Sequence, residues 1–213
     1  MRAVDAKPLE EWYQVHEGAD SRVGDLSLLE TARSSVEGVE HVYNLAADMG
    51  GMGGFIENNR ALCMLSVLTS THVLLAAQEA GVDRYFYSSS ACVYAAEKKQ
   101  TDSDVKPLRE SDAYPAEPED GYGWEKLFSE RMARHFREDF GIKTRTARYH
   151  NVYGPNGTFD GGREKAPAAV CRKVALIAQG ETDTLEIWGG RRADAEFHVC
   201  RRLRPWHARG PQR

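Results

Sequence analysis

Between about residue 20 and residue 150 the chain alternates short β-rich runs with longer helical stretches, and this alternation constrains the fold most. The predicted strands are 21–24, 41–46, 85–89 and 143–149, with a further short strand at 184–188. The predicted helices are 27–36, 57–80, 122–140 and 166–179, the second and third of which end at Gly81 and Gly141. Strand–helix alternation is typical of βαβ units. We therefore predict an α/β fold built on a doubly wound parallel sheet.

Both ends of the sequence differ from those of a typical chain that forms such a sheet. An open sheet that binds a dinucleotide normally begins with a strand, a glycine loop and a helix, but no G-x-G-x-x-G or G-x-x-G-x-x-G precedes Asp25. We expect the first βα unit to be missing. The segment from Arg191 to Arg213 holds seven arginines without a hydrophobic period, so it is either a basic arm for an acidic partner or, as we favour, a stretch never selected to fold.

These patterns predict three regions: an incomplete nucleotide-binding domain with the catalytic residues over 1–165, the start of a substrate-binding region over 166–190, and an unstructured basic tail over 191–213. Polar loops are predicted over 97–120 and 151–165.

Composition excludes several classes of partner. The 213 residues are 41% hydrophobic, enough to bury a core, and a formal net charge of −4 argues against a nucleic-acid partner. The longest apolar stretch, 61–77, is interrupted by polar side chains, and the N-terminus resembles no signal peptide, so we expect a soluble protein with no membrane partner. Four cysteines without paired spacing favour reduced thiols in the cytoplasm and no metal site.

The strongest chemical signal is Tyr122-x-x-x-Lys126 at the start of a predicted helix, downstream of the serine-rich strand end at 88–92. A spacing of four places both side chains on one helix face, where an ammonium would favour the phenolate and make tyrosine a usable base. A serine hydroxyl at the strand end can hold a substrate hydroxyl while its proton leaves. Tyr and Lys four apart also occur by chance on amphipathic helices, and the serine-rich strand is what favours the catalytic interpretation.

Several further segments resemble the extended short-chain dehydrogenases that modify nucleotide sugars. They include Asn-Leu-Ala-Ala-Asp at 44–48, Ser-Ser-Ala-Cys-Val-Tyr at 89–94, Tyr-Gly-Trp-Glu-Lys at 122–126 and Arg-Tyr-His-Asn-Val-Tyr-Gly-Pro at 148–155. The runs at 48–53, 111–118 and 161–169 are similar to the GDP-mannose 3,5-epimerase family within that group. The resemblance extends from about Asp25 to Gly189 and implies a Rossmann-like fold.

What the resemblance implies is an NAD-dependent isomerase. NAD would oxidise C4 of the mannose ring, with Tyr122 taking the hydroxyl proton and Ser90 assisting, and the ketone would acidify the protons on C3 and C5. The family assigns their inversion to residues matching Cys92 and Lys165, before the ketone is reduced again. A thiol near a lysine can ionise close to neutral pH, although a free cysteine is more often a small buried hydrophobe.

The resemblance also implies binding roles, a homodimer, and a place in ascorbate and cell-wall sugar supply. Asp25, Tyr122 and Lys126 match cofactor contacts, and Asp25 could equally be a turn residue at a strand end. The positions that match substrate contacts are Gly50, Ser90, Ala91, Cys92, Asn151, Glu164, Lys165, Ala166 and Lys173. For these, turns, strand ends and solvated helix faces are the structural alternatives.

Some features depart from the family pattern. No glycine loop is present for the pyrophosphate, so NAD affinity should be low, and the resemblance ends after Trp188-Gly189. Leu65 and Ser66 stand where the family has a pair of asparagines.

Three hypotheses about the function stay open. They are an epimerase, a non-catalytic homologue that acts as an interaction module through helices 57–80 and 122–140, and a related 4-epimerase or dehydratase. Cys92 together with the Gly-Gly-Arg-Glu-Lys run favours the first.

Overall fold

A computed structural model describes residues 1–48, 60–95, 107–118, 120–185 and 197–199. The chain divides into two compact units, Met1–Asp48 with Asn59–Arg148, and Met49–Asn58 with Tyr149–Arg213. This division differs from the predicted boundary at residue 165, and the assignment of a substrate-binding region stays a prediction.

The first unit holds five strands: β1 (Arg2–Asp5), β2 (Asp20–Val23), β3 (His41–Asn44), β4 (Arg84–Ser90) and β5 (Lys143–Tyr149, as far as Arg148). Its helices are α1 (Leu29–Val36), α2 (Arg60–Glu79) and α3 (Asp120–Phe140). Short 3-10 helices lie at Leu9–Glu11, Ala91–Val93 and Glu110–Ala113. The predicted α/β class and every predicted helix and strand of this unit are confirmed within a few residues; of the second helix, 57–59 lie outside the described residues.

The strands of this unit form two sheets rather than the single sheet we predicted. Strands β1 and β2 pair in parallel, with Val4 opposite Arg22, and β3 pairs in parallel with β4, which is also the neighbour of β5. The classic order of a doubly wound sheet is 3-2-1-4-5-6, in which strand 1 leads into the glycine loop. The two sheets meet this order if β2 and β1 are strands 3 and 2 and β3 to β5 are strands 4 to 6. The gap between the two sheets thus falls at the position of strand 1 in that order.

A buried apolar cluster lies between the helices and the three-stranded sheet. It joins Ala32 and Val36 of α1 to Leu74 and Ala77 of α2 and to Tyr85 of β4, all at most 4% exposed. Gly81 and Gly141 follow α2 and α3 with positive φ, as their C-terminal position requires. The core therefore fixes α2 and α3 on the sheet beside the carboxyl end of β4.

Helix α2 is long and apolar enough to cross a membrane by length and composition alone, and no other helix in the described ranges meets that test. It packs against α1 and α3, and it buries small and apolar side chains such as Cys63, Val73 and Ala76. A core helix of this kind passes the same test as a membrane span.

The second unit holds β6 (Asn151–Tyr153), α4 (Ala166–Ala178) and β7 (Phe197–Val199), and β6 pairs in parallel with β7. The prediction of a helix at 166–179 is confirmed. The prediction of a loop over 151–165 was wrong at its start, because β6 gains its hydrogen bonds from a segment more than 40 residues away that the local pattern does not reveal. Of the strand predicted at 184–188, residues 184 and 185 have no strand structure, and 186–188 lie outside the described residues.

Candidate active site at the end of the central strand

The first unit brings four of the predicted catalytic residues together where β4 ends. Ser90 is the last residue of β4, and its hydroxyl accepts a hydrogen bond from the backbone N–H of Cys92 at 3.2 Å. Cys92 is half-buried in the following 3-10 helix. Tyr122, in the first turn of α3, hydrogen-bonds with the Ser90 side chain and is 5% exposed. This places a phenol, a hydroxyl and a thiol at the carboxyl edge of the sheet, where open α/β sheets bind ligands.

Lys126 lies one turn further along α3, as the spacing predicted. Its ammonium donates a hydrogen bond to the Ser88 carbonyl at 3.0 Å and lies 5.6 Å from the centre of the Tyr122 ring and 4.9 Å from that of Tyr87. Its side chain is 4% exposed. A buried cation that rests against two aromatic faces gains cation–π attraction that solvent does not screen.

The protonation of this pair differs from what spacing alone suggested. Burial raises the pKa of the Tyr122 phenol above its ordinary value of 10.0, negative charge at Cys92 acts in the same direction, and the hydrogen bond with Ser90 opposes both. Burial also lowers the pKa of Lys126, while the charge of Glu125 raises it. In the protein without cofactor, burial therefore dominates the phenol pKa. The predicted lowering relied on Lys126 together with the positive charge of the nicotinamide, and it stays a prediction.

The start of α3 is fitted tightly against the 3-10 helix that carries Cys92. A Cβ added at Gly123 would lie 2.2 Å from the Cys92 carbonyl oxygen and 3.1 Å from the Pro118 side chain. Only glycine permits this approach. Gly123 was not among the predicted site residues, although a glycine inside a strongly helical segment is a signal that could have identified it.

A second network holds the serine-rich strand end one turn beyond Lys126 along α3. Arg148 on β5 forms an ion pair with Glu130 at 2.7 Å, and Glu130 accepts a hydrogen bond from the Ser89 hydroxyl at 2.5 Å. Arg148 also donates to the Tyr94 hydroxyl and to the Glu110 carbonyl. The network thereby links β4, β5 and α3 with the 3-10 helices on either side. Sequence reasoning had not assigned these residues a role.

At the edge of the smaller sheet, Asp25 takes part in a turn. Its carboxylate accepts a hydrogen bond from the backbone N–H of Ser27 at 2.8 Å, and hydrogen bonds from Ser27 lower its pKa. Asp5, which ends β1, was missed because β1 was not predicted. Since β1 and β2 run in parallel, both carboxylates lie toward the same sheet edge. An acidic residue at the end of a strand is the usual partner of a dinucleotide ribose.

The remaining predicted substrate contacts are distributed over both units. Five of the described ones belong to the second unit: Asn151, Glu164, Lys165, Ala166 and Lys173. Within that unit Lys165 directly precedes α4, whose early Pro167 suits a helix start, and Glu164 lies 3.9 Å from Arg172. Ala91 is half-buried between Ser90 and Cys92, and Gly50 lies outside the described residues. The pairing of Lys165 with Cys92 stays a prediction.

Within the described ranges, no group of three or more His, Cys, Asp or Glu side chains is arranged to hold a metal ion.

Ser66, one of the two departures from the family pattern in α2, is 6% exposed and accepts a hydrogen bond from the backbone N–H of Asp48 at 3.0 Å. A serine at this position therefore still fixes the end of the Asn-Leu-Ala-Ala-Asp segment.

A parallel α/β sheet with a buried Tyr/Lys pair beside a serine-rich strand end defines a class of nucleotide-dependent enzymes, and comparison with known proteins specifies the family. Residues 5–199 match the NAD dependent epimerase/dehydratase family, and the chain belongs to that family.

Curated relatives narrow the likeness. The chain is 52% identical over 166 residues to the GDP-mannose 3,5-epimerase of Arabidopsis thaliana and equally to GDP-mannose 3,5-epimerase 1 of Oryza sativa subsp. japonica. Each match covers 78% of this chain and 42% of the relative, so the chain spans less than half the length of these relatives.

Solved structures share the fold at low identity. The UDP-glucose 4-epimerase of Thermus thermophilus, solved with NAD, superposes with a TM-score of 0.78 at 19% identity, covering 97% of this chain and 65% of that one. A UDP-glucose 4-epimerase from Thermotoga maritima, solved with UDP-glucose, gives a TM-score of 0.74 at 20% identity over 93% of this chain and 60% of that one. At these identities the likeness supports the Rossmann-like fold alone.

Proposed function

We propose that the protein is an NAD-dependent isomerase of nucleotide sugars that converts GDP-mannose to GDP-L-galactose through a 4-keto intermediate. The observation that carries the proposal is the cluster of Ser90, Cys92, Tyr122 and Lys126 at the end of β4, in a chain 52% identical to 3,5-epimerases. A Tyr/Lys pair alone supports any hydride transfer from an alcohol. A thiol beside that pair supplies a second base, which epimerisation next to a ketone requires.

The residues present fit NAD at two places. Tyr122 and Lys126 would hold the nicotinamide ribose at the end of β4, and Asp5 and Asp25 would hold the adenosine ribose at the ends of β1 and β2. When bound, NAD accepts the hydride from C4 and later returns it. A cofactor that carries positive charge on its nicotinamide ring would also offset the burial that raises the Tyr122 pKa.

The residues of the chain have distinct roles in this proposal. Tyr122 takes the C4 hydroxyl proton while Ser90 holds the oxygen, which leaves a C4 ketone. Cys92 as thiolate removes a proton from the carbon next to the ketone, and the Lys165 ammonium delivers a proton to the opposite face, so each cycle inverts one carbon. After the first inversion the proton on the Cys92 thiol returns through solvent to the Lys165 amine, which restores the thiolate and the ammonium for the second carbon. Tyr122 returns its proton to the oxygen at the end.

Further parts of the proposal concern the oligomeric state, the cellular location and the biological role of the protein. Helices α2 and α3 pack on each other, and each exposes an apolar stripe, with Leu65 54% exposed on α2 and Phe128 56% exposed on α3. These stripes support a homodimer joined through both helices. We also propose that the protein works in the cytoplasm, without nucleic-acid, membrane or metal partners, in the supply of L-galactose for ascorbate and cell walls.

The deciding experiment incubates the protein, expressed from its complete gene, with NAD and GDP-mannose in heavy water. Mass spectrometry and proton NMR of the sugar should show deuterium at C3 and C5. The Cys92→Ser variant, which keeps the shape but not the acidity of the thiol, should lose this label while still exchanging hydride at C4. Label at neither carbon in the parent protein overturns the 3,5-epimerase proposal and favours a 4-epimerase or dehydratase.

A further inference from the structure

A carboxylate is buried directly beneath the Tyr/Lys pair. Glu125 of α3 is 2% exposed, and its Oε1 atom accepts three hydrogen bonds from hydroxyl groups. The donors are Ser70 of α2 at 3.0 Å, Tyr87 of β4 at 2.9 Å and Ser129 of α3 at 2.9 Å. Three donors converge on this one oxygen, which can accept from all of them. The carboxylate is thereby fixed between two helices and the sheet.

The other oxygen of Glu125 is arranged differently. Oε2 is buried and, among the described residues, has no hydrogen-bond partner. It lies 3.8 Å from the ammonium of Lys126, and the two side chains are 0% and 4% exposed. Burying either charge alone is costly, whereas each compensates the other at this distance. The unsatisfied oxygen is therefore directed at the cation rather than at solvent.

We propose that Glu125 is a positioning residue that holds Lys126 in its charged form beside Tyr122. The catalytic consequence rests on the proposed function, since Lys126 is what makes Tyr122 usable as a base there. Lys126 reaches the site through a hydrogen bond to the Ser88 carbonyl and contacts with two aromatic faces, and none of these groups carries a formal negative charge. Glu125 supplies that charge.

Among the described residues, the other titratable groups that act on the pair or face it are phenols and thiols. Tyr87 of β4 and Tyr122 of α3 face the Lys126 ammonium, and Cys92 and Cys63 influence the Tyr122 phenol. Burial raises the pKa of both phenols, so they stay neutral near pH 7. Glu125 also acts on Tyr122 directly, by a repulsion that raises the phenol pKa. A titration of Lys126 itself therefore tests the proposal more cleanly than one of Tyr122.

The test measures the Lys126 pKa by NMR in protein labelled with ¹³C at the lysine ε-carbon, with the Lys126 signal assigned from Lys126→Arg. Glu125→Gln keeps the shape of the side chain and removes its charge, and we expect the Lys126 pKa to fall by about 1 to 3 units. The matched control is Ser129→Ala, which removes one hydrogen bond to Oε1 but leaves the carboxylate. It should leave the Lys126 pKa within about 0.5 unit, because the charge stays in place.

An unchanged Lys126 pKa in folded Glu125→Gln overturns the proposal and leaves Glu125 a structural role only. If that variant does not fold, the parent protein decides, because ¹³C NMR of its glutamate carboxyl groups reports whether Glu125 is ionised. A protonated Glu125 at pH 7 also overturns the proposal. Neither measurement needs cofactor or sugar, so both keep their meaning if the heavy-water experiment excludes the epimerase. In the complete enzyme, Glu125→Gln should shift the alkaline limb of the kcat–pH profile to lower pH.

Discussion

Gly123 allows the most direct test of how the fold positions the candidate site. A Cβ at this position would lie 2.2 Å from the Cys92 carbonyl oxygen, although real Cβ contacts essentially never fall below 3.0 Å. The obstacle is backbone, so Gly123→Ala must move α3 away from the Cys92 segment by about 0.8 Å or more. Overpacking of this kind costs about 1–3 kcal/mol. The higher helix propensity of alanine offsets up to about 1 kcal/mol.

We therefore expect Gly123→Ala to lower the free energy of unfolding by about 1–2 kcal/mol, measured by urea denaturation. In the complete enzyme, kcat should fall by about 100-fold, because a displacement near 1 Å at the reacting groups has effects of that size.

Gly121→Ala is the matched control for this prediction. It makes the same change on the same helix, but its Cβ would meet the flexible Met64 side chain at 2.7 Å, and the nearest backbone atom, the Arg60 carbonyl oxygen, lies at 3.1 Å. It should retain most of its stability and turnover. A Gly123→Ala protein with parental stability and kcat would refute the idea that this contact positions Tyr122.

Three further predictions concern other side chains of the first unit. Tyr122→Phe should lower kcat at least about 100-fold with little change in unfolding free energy, and near-normal turnover would contradict its role as the base. Arg148→Met leaves Glu130 as a largely buried uncompensated charge, so urea denaturation should show a loss of about 3 kcal/mol, and a loss below about 1 kcal/mol would contradict this. The pKa of Asp20 is lowered by its hydrogen bond with Arg22 and then by Arg2. Its stabilising contribution is therefore complete above the ordinary value of 3.8 and is lost as the pH falls through the folded-state pKa. Asp20→Asn should accordingly flatten the fall in stability on acidification in a thermal scan, and an unchanged acid limb would contradict the assignment.

The helices and central strands could be predicted because their signals are local. Helices α2 and α3 each show a long helical pattern that ends at a glycine, Gly81 or Gly141, with positive φ. Strand β4 was predicted from its apolar, β-rich composition, and in the structure its residues from Tyr85 onward alternate between buried and half-buried. Tyr122 and Lys126 lie on one face because helical geometry requires it.

The parts that sequence did not predict depend on partners distant along the chain. Strand β1 is four residues of weak β pattern, and it forms because β2, about 18 residues later, offers a parallel edge. Strand β6 likewise pairs with β7. The split of the sheet between β1 and β3 could have been inferred from the absent glycine loop, since the strand that carries this loop normally joins the two parts. Asp5 was overlooked because it ends β1, which was not predicted.

The electrostatics of the site were the least predictable, because spacing gives proximity but not burial. Lys126 lies near Tyr122, as expected, yet the net pKa shift of the phenol is upward, since both groups lie where a charge is poorly solvated. A buried Tyr/Lys pair therefore needs further charge to act as a base at neutral pH. Glu125 can keep the ammonium charged, and a cationic cofactor can then stabilise the phenolate. Without such charge the buried phenol stays protonated near pH 7, because burial raises its pKa.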